Sequence, residues 1–286
     1  MLNLLIPKPK TFNLGPLGRV TMVFDRKDGA IWYPGGLAYR SNLTAGLIRK
    51  GKLEGVIDLG SGLVTNVGVL ALANDFAWTA TNALNSLFAK MKYMASGTGA
   101  TAAAATDIGL QTPSGFGGQT PVLATPTLLS AANLQKYQVV GTIAYTGSEG
   151  VTEWGLFSYG STLPAVTALT DATGSPFTAG SATSGTVTGT PLTASSTTVM
   201  GQQMSIFQNT NATRVSWGLV TGNTTSVITV PAWYLTASGA AGTAPINADT
   251  YLIRPIMWDH KQFAAINVNS GDSIQFTYQL TISSGG

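Results

Sequence analysis

The chain holds one histidine, His260, and its neighbour is an acid, Asp259. A Ser-His-Asp arrangement needs the acid to orient the imidazole across space, whereas adjacent residues of a strand point to opposite faces. The expectation is a partly exposed histidine at a strand or turn, with no catalytic role. Glu149 and Glu153 are the carboxylate pair to weigh. A glycosidase needs two carboxyls flanking one bond, but the local pattern puts Glu149 in a turn and Glu153 in a strand, so nothing marks them as convergent. With no cysteine, one histidine and scattered acids, no transition-metal site, cofactor or enzymatic activity is expected. Gly97-Thr98-Gly99-Ala100-Thr101 lacks the Lys-Ser/Thr of a P-loop and the third glycine of a dinucleotide fingerprint; it reads as a strand-ending turn. Asn42, Asn211 and Asn223 each open an N-x-Thr pattern, but no secretory leader accompanies them: Met1 to Pro7 is apolar and too short for one. Trp217, Trp233 and Tyr234 are the candidates for stacking on a sugar ring; aromatics near strands more often fill a core.

The elements that would position these groups are strands. From Ser273 to Ser283 the chain reads S-I-Q-F-T-Y-Q-L-T-I-S. Ile274, Phe276, Tyr278, Leu280 and Ile282 alternate with Gln275, Thr277, Gln279 and Thr281, so the segment has one buried face and one wet, uncharged face. Asn269-Ser270-Gly271-Asp272 reverses the chain before it, and with Ile266-Asn267-Val268 the tail reads as a hairpin. Tyr137 to Tyr145 and Val151 to Phe157 are further strands, separated by a turn at Gly147 to Gly150. Leu87 to Met94 reads as a strand ended by Ser96-Gly97-Thr98-Gly99. Val69, Leu72, Ala73 and Phe76 fall on one helical face, capped by Thr65 or Asn66. Residues 111–134, with Pro113, Pro121 and Pro126, read as a long loop.

Charged residues are 9% of the chain, against about 25% in typical soluble proteins. With 44% hydrophobic residues the chain can still fold, and a neutral Ser/Thr/Gly surface suits a subunit packed against copies or partners. The net +3 hides an asymmetry. Residues 1–52 hold nine basic residues, Lys8, Lys10, Arg19, Arg26, Lys27, Arg40, Arg49, Lys50 and Lys52, and two acids, a net +7; the remainder holds six basic and ten acidic residues, a net −4. This reads as an extended basic arm that docks on an acidic partner. Its aromatic interleaving is thin for a single-strand nucleic-acid binder. No run of about 20 apolar residues is present to span a bilayer. Residues 158–250 change texture: rich in Thr, Ser, Gly and Ala to Thr198, then strand candidates at Met204–Phe207, Val215–Val220 and Val227–Val230. They read as an inserted β subdomain or set of loops, with the core resuming at Tyr251.

Four segments carry a resemblance: L-V-T-N-V-G-V from Leu63 to Val69; M-A-S-G-T-G-A-T from Met94 to Thr101, followed by Thr106-Asp107 and Leu110; T-E-W-G-L-F from Thr152 to Phe157; and the tail from Ile266 to Gly286. In this order the chain resembles virion structural proteins of tailed bacteriophages, over residues 58–157 and 258–286. The resemblance implies a structural component of the particle, assembled in the host cytoplasm. It also implies that residues 158–250 are inserted.

Together these readings predict a mainly β protein: an antiparallel β-sandwich or jelly-roll-like core (53–157 plus 251–286) with one helix, a basic arm (1–52) and an inserted β subdomain (158–250). The leading expectation is a homo-oligomeric capsid decoration or cement protein whose arm binds the major capsid protein. The alternatives are a tail, neck or fibre subunit, and a glycan-binding module centred on Trp217, Trp233 and Tyr234.

Overall fold

The computed structural model describes residues 10–13, 19–24, 31–32, 37–76, 90–131, 134–160, 176–192, 202–208, 211–235 and 240–284. Over these residues the protein is mainly β, with every strand pair antiparallel and one helix, α1 (Asn66–Phe76). A three-stranded sheet comprises, in spatial order, β1 (Lys10–Asn13), β2 (Arg19–Phe24) and β3 (Ile31–Trp32). A five-stranded sheet follows: β5 (Lys52–Gly60), β4 (Leu37–Arg49), β21 (Ser273–Ser284), β10 (Leu134–Ala144) and β9 (Thr125–Ala131). The second five-stranded sheet is β6 (Leu63–Val64), β20 (Met257–Val268), β11 (Glu149–Phe157), β7 (Tyr93–Gly97) and β8 (Val122–Leu123). Two four-stranded sheets lie between β11 and β20 in sequence. One is β12 (Phe177–Ser181), β13 (Ser184–Val187), β17 (Val227–Thr229) and β16 (Gly222–Asn223). The other is β18 (Tyr234–Leu235), β15 (Asn211–Leu219), β14 (Gln202–Gln208) and β19 (Thr250–Pro255).

The alternation in β21 does what its period requires. Ile274, Phe276, Tyr278 and Leu280 are buried, while Gln275 is exposed and Thr277, Gln279 and Thr281 are half-buried. The buried side meets the other five-stranded sheet in one core. Trp154 of β11 stacks on Tyr278 at 5.5 Å between ring centroids and lies 6.3 Å from Phe276. Trp258 of β20 donates its indole N–H to the Tyr278 hydroxyl at 3.0 Å. On the outer face, the Gln279 side-chain amide donates to Gln138 Oε1 at 2.8 Å.

Several expectations are corrected. The tail is not a hairpin: β20 and β21 belong to different sheets, and the Asn269–Asp272 turn arches between them. The turn at residues 145–148 arches in the same way from β10 to β11, and the two arches are tied by Gly271 N to Tyr145 O at 2.8 Å and Tyr145 N to Asp272 O at 2.9 Å. Turn residues reverse a chain whether the next strand pairs with the last or packs on it. Residues 37–49, placed in the arm by their charge, are β4, paired with β21 from Leu37 to Ile48. Leu43 and Ala45 on this strand are fully buried, so apolar alternation outweighed its arginines.

Residues 111–134 contain two short strands rather than one loop. Pro126 is tolerated in β9 because the strand is an edge and its missing N–H costs no ladder bond. Ser96 and Gly97 lie inside β7, which starts at Tyr93; Leu87 to Ala89 lie outside the described residues. Glu149 opens β11 and is not in the turn. On α1, Val67, Gly68 and Ala71 are buried and Val69, expected on the apolar face, is 46% exposed; the side chains of Leu72, Ala73 and Phe76 lie outside the described residues. Thr65 is the cap: its hydroxyl accepts the Gly68 N–H at 3.1 Å. A side chain at Gly68 would sit 2.8 Å from the Trp258 carbonyl oxygen, so the glycine lets the helix lie directly on β20.

Within residues 158–250 the strand candidates appear as β14, β15 and β17. They do not form a separate layer throughout: Trp217 and Leu219 join the main core. A second core gathers Phe177, Val187, Leu192, Val220, Ile228, Val230, Trp233 and Tyr251. Tyr251 therefore packs with this second core, and the chain rejoins the five-stranded sheets at Met257.

Replacing Phe276 by alanine is expected to cost about 3–5 kcal/mol. Leu128→Ala, at a side chain 69% exposed, should change stability by less than about 0.5 kcal/mol. Chemical denaturation of the two variants checks this; equal effects would contradict the assignment of the core.

Candidate functional site

The densest polar chemistry is built on β11, β20 and the segment from Thr98 to Thr112 that leaves β7. In the β11–β20 register His260 lies opposite Gly155 and Gln262 opposite Glu153. Side chains two apart on a strand share a face, which brings Glu153 beside His260. His260 Nε2 lies 3.1 Å from Glu153 Oε2, and Nδ1 lies 2.7 Å from Asp107 Oδ2. His260 is fully buried and Glu153 is 1% exposed. This corrects the expectation of a partly exposed histidine. The adjacent Asp259 points the other way, as a strand requires, and packs on Gly62 in the core.

Glu153 also gathers backbone donors. Oε1 accepts from Gly99 N at 3.0 Å and Thr112 N at 2.8 Å, and Oε2 from Gln111 N at 2.9 Å. Asp107 accepts from Ala104 N at 2.7 Å. One carboxylate thus holds both ends of the 98–112 segment, and a second holds its middle, with the imidazole between them. The Gly99 N–H, weighed as part of a phosphate loop, is spent on the protein's own carboxylate.

The electrostatics follow from this packing. Burial alone would lower the His260 pKa, but hydrogen bonds and charge from Asp107 and Glu153 raise it to about 9. Burial would raise Glu153, but His260 and the Thr112 and Gln111 N–H groups hold it below the ordinary carboxylate range. The ring is therefore an imidazolium at neutral pH with both nitrogens committed. It has no lone pair with which to accept a proton or bind a metal; its chemistry is to neutralise two carboxylates. Burial pushes Asp259 up to about 6, against the pull of the Tyr278 and Ser41 hydroxyls. A pocket of about 230 Å³ lies beside His260, with Ser61 to Leu63 on one side and Ala102 and Ala103, from the pinned segment, on the other.

The sequence missed this cluster because Asp107, Glu153 and His260 are far apart in the chain. The available signal was a lone glutamate in an otherwise apolar strand, T-E-W-G-L-F, which must find a partner when buried. Glu149 does not join Glu153's network; it accepts a hydrogen bond from the Ser114 hydroxyl. Among the described residues no group of three His, Cys, Asp or Glu side chains is placed to hold a metal ion.

The other singled-out residues are dispersed. Lys8, Arg26 and Lys27 lie outside the described residues; Lys10, Arg19 and Arg40 occupy positions on β1, β2 and β4. Arg49 is not a free arm cation: it donates to Asp272 at 3.1 Å, Glu54 at 3.2 Å and the Asn267 carbonyl at 3.0 Å. Lys50 and Lys52 are exposed at the β4–β5 turn. Trp217 and Trp233 are both 3% exposed, which corrects their candidacy as sugar platforms. Trp217 stacks on Tyr234 at 4.8 Å, and the Trp233 indole donates to the Ser181 carbonyl at 2.9 Å. Asn223 is buried, which leaves it unsuited as a glycan acceptor. No helix among the described residues is long and apolar enough to cross a membrane. No protein-family model, curated protein or solved structure matches the chain.

The pH dependence follows with its sign. His260 has a folded pKa above its unfolded value of 6.5, so its contribution is fully present below 6.5 and is lost as pH rises through about 9. Glu153 is depressed, so its contribution is present above 4.5 and is lost as pH falls below that value. Thermal unfolding across pH should show an alkaline decline from about pH 7 that is flattened in His260→Gln. That variant should lose about 3–5 kcal/mol at neutral pH, because the buried Glu153 and the half-buried Asp107 are left without their cation. Identical alkaline limbs in the two proteins would refute the assignment.

Proposed function

We propose that the protein is a structural subunit of a tailed-bacteriophage particle, a capsid decoration or cement protein that binds the major capsid protein. The observation that carries this reading is the role of the residues behind the resemblance. Thr65 caps α1, Gly99 and Asp107 feed the buried charge cluster, Glu153 anchors it, and the tail strand sits between β4 and β10. The residues that carry the resemblance thus serve a rigid framework. The charge-poor composition and the outer face of Gln275, Thr277, Gln279 and Thr281 support packing against other subunits. Narrowed by β4 to the part before Leu37, the arm keeps five of the nine basic residues and both acids, a net +3, which supports a basic attachment to an acidic shell.

Truncation must respect that boundary. Removing residues 1–52 would delete β4, a partner of β21. Removing residues 1–36 should leave the unfolding transition intact and abolish binding to purified particles that lack the protein. Undiminished occupancy by the truncated chain would count against the arm. A stoichiometric census of the particle separates this reading from a tail, neck or fibre subunit: hundreds of copies mark a shell, whereas about 3, 6 or 12 mark tail symmetry.

A further inference from the structure

Arg254, near the end of β19, is 1% exposed, and its Nε, Nη1 and Nη2 atoms have no hydrogen-bond partner. The guanidinium is pressed against the backbone of the segment that carries Asp107: a side chain at Gly109 would come within 2.0 Å of Nη2. Ile108 and Leu110, on either side of that glycine, are buried and apolar. Burial lowers the arginine's pKa to about 10, which still leaves it charged at neutral pH.

A guanidinium taken out of water needs a counter-charge as well as acceptors, because its lost hydration must be recovered for a buried ion to persist. The carboxylates closest to it in the chain and on the 107–110 segment face other groups, and burial is the only influence on the guanidinium, with no carboxylate charge acting on it. Asp107 is bound to His260, Asp249 accepts the Ile246 N–H at 2.9 Å, and Asp259 packs on Gly62. Water can fill acceptor positions, but it supplies no charge.

We propose that the folded protein binds a small monovalent inorganic anion, of the size and charge of chloride, at the Arg254 guanidinium where β19 meets the 107–110 segment. Gly109 supplies the clearance that places the guanidinium there, and the apolar flanks favour a monatomic ion over an organic acid. The ion joins the inserted region to the polar cluster of the core, since β19 belongs to the former and the Asp107 segment to the latter. The inference stands independently of the role in a virion.

The test is thermal unfolding of the full chain at neutral pH in sodium chloride and in sodium gluconate of equal ionic strength. Saturating chloride should raise the Tm by about 5 °C or more, bromide should substitute, and Arg254→Met should abolish the difference. Equal Tm values in both salts, or an unchanged chloride response in Arg254→Met, would overturn the proposal. If Arg254→Met does not fold, wild-type crystals grown in bromide decide it. An anomalous peak within hydrogen-bond distance of the guanidinium supports the site; water alone there, or a carboxylate of the chain, removes it.

Discussion

The burial of Glu153 is the constraint on which much of this structure depends. A carboxylate at 1% exposure must be matched in charge and in hydrogen bonds. His260 supplies the charge, and three backbone N–H groups supply the rest. That requirement fixes the β11–β20 register at this point and closes the 98–112 segment over the outer face of the sheet. It also separates the neighbours. Trp154, next to Glu153, turns inward to stack on Tyr278. Asp259, next to His260, turns inward against Gly62. The polar cluster and the aromatic core are thus built from alternate residues of the same two strands.

The two arches extend this constraint to the other five-stranded sheet. β10 to β11 and β20 to β21 each pass from one sheet to the other, and the backbone bonds between Tyr145 and the Gly271–Asp272 turn hold the crossings side by side. Arg49 adds a clamp from the β4–β5 end of the sheet to Asp272 and the Asn267 carbonyl. Two arches bound in this way limit how the sheets can slide over the shared core. A framework so constrained is suited to bearing load and presenting faces, which is what the proposed role in a particle asks of it.

The region between β11 and β20 follows the same pattern. Its own core is aromatic, with Phe177 5.0 Å from Tyr251 and 6.4 Å from Trp233 between ring centroids. Trp217 and Leu219 reach into the main core instead, so the region is anchored by side chains as well as by its two chain connections. The aromatics that suggested a sugar platform are spent on this packing.

Much of the framework was legible in the sequence because period-two alternation is a local property. The inward face of β21, the strands β10 and β11, the Thr65 cap and the change of texture after residue 157 all follow from neighbouring residues. What pairs with what did not follow. The same turn residues serve a hairpin or an arch, so the tail's partners, β4 and β10, were decided by burial of both sheets against each other. The charge of residues 1–52 concealed β4 because composition averages over a strand whose apolar face is only every second residue. Val69 was misplaced because the apolar residues of the helix are nearly continuous, and the close approach of Gly68 to Trp258 helps set which side of the helix faces β20. The cluster of Asp107, Glu153 and His260, and the isolation of Arg254, joins residues distant in the chain. The sequence by itself determined which faces of the strands would be buried; the tertiary structure decided which charges would be buried with them, because only the assembled sheets remove those groups from water and oblige each to find a partner.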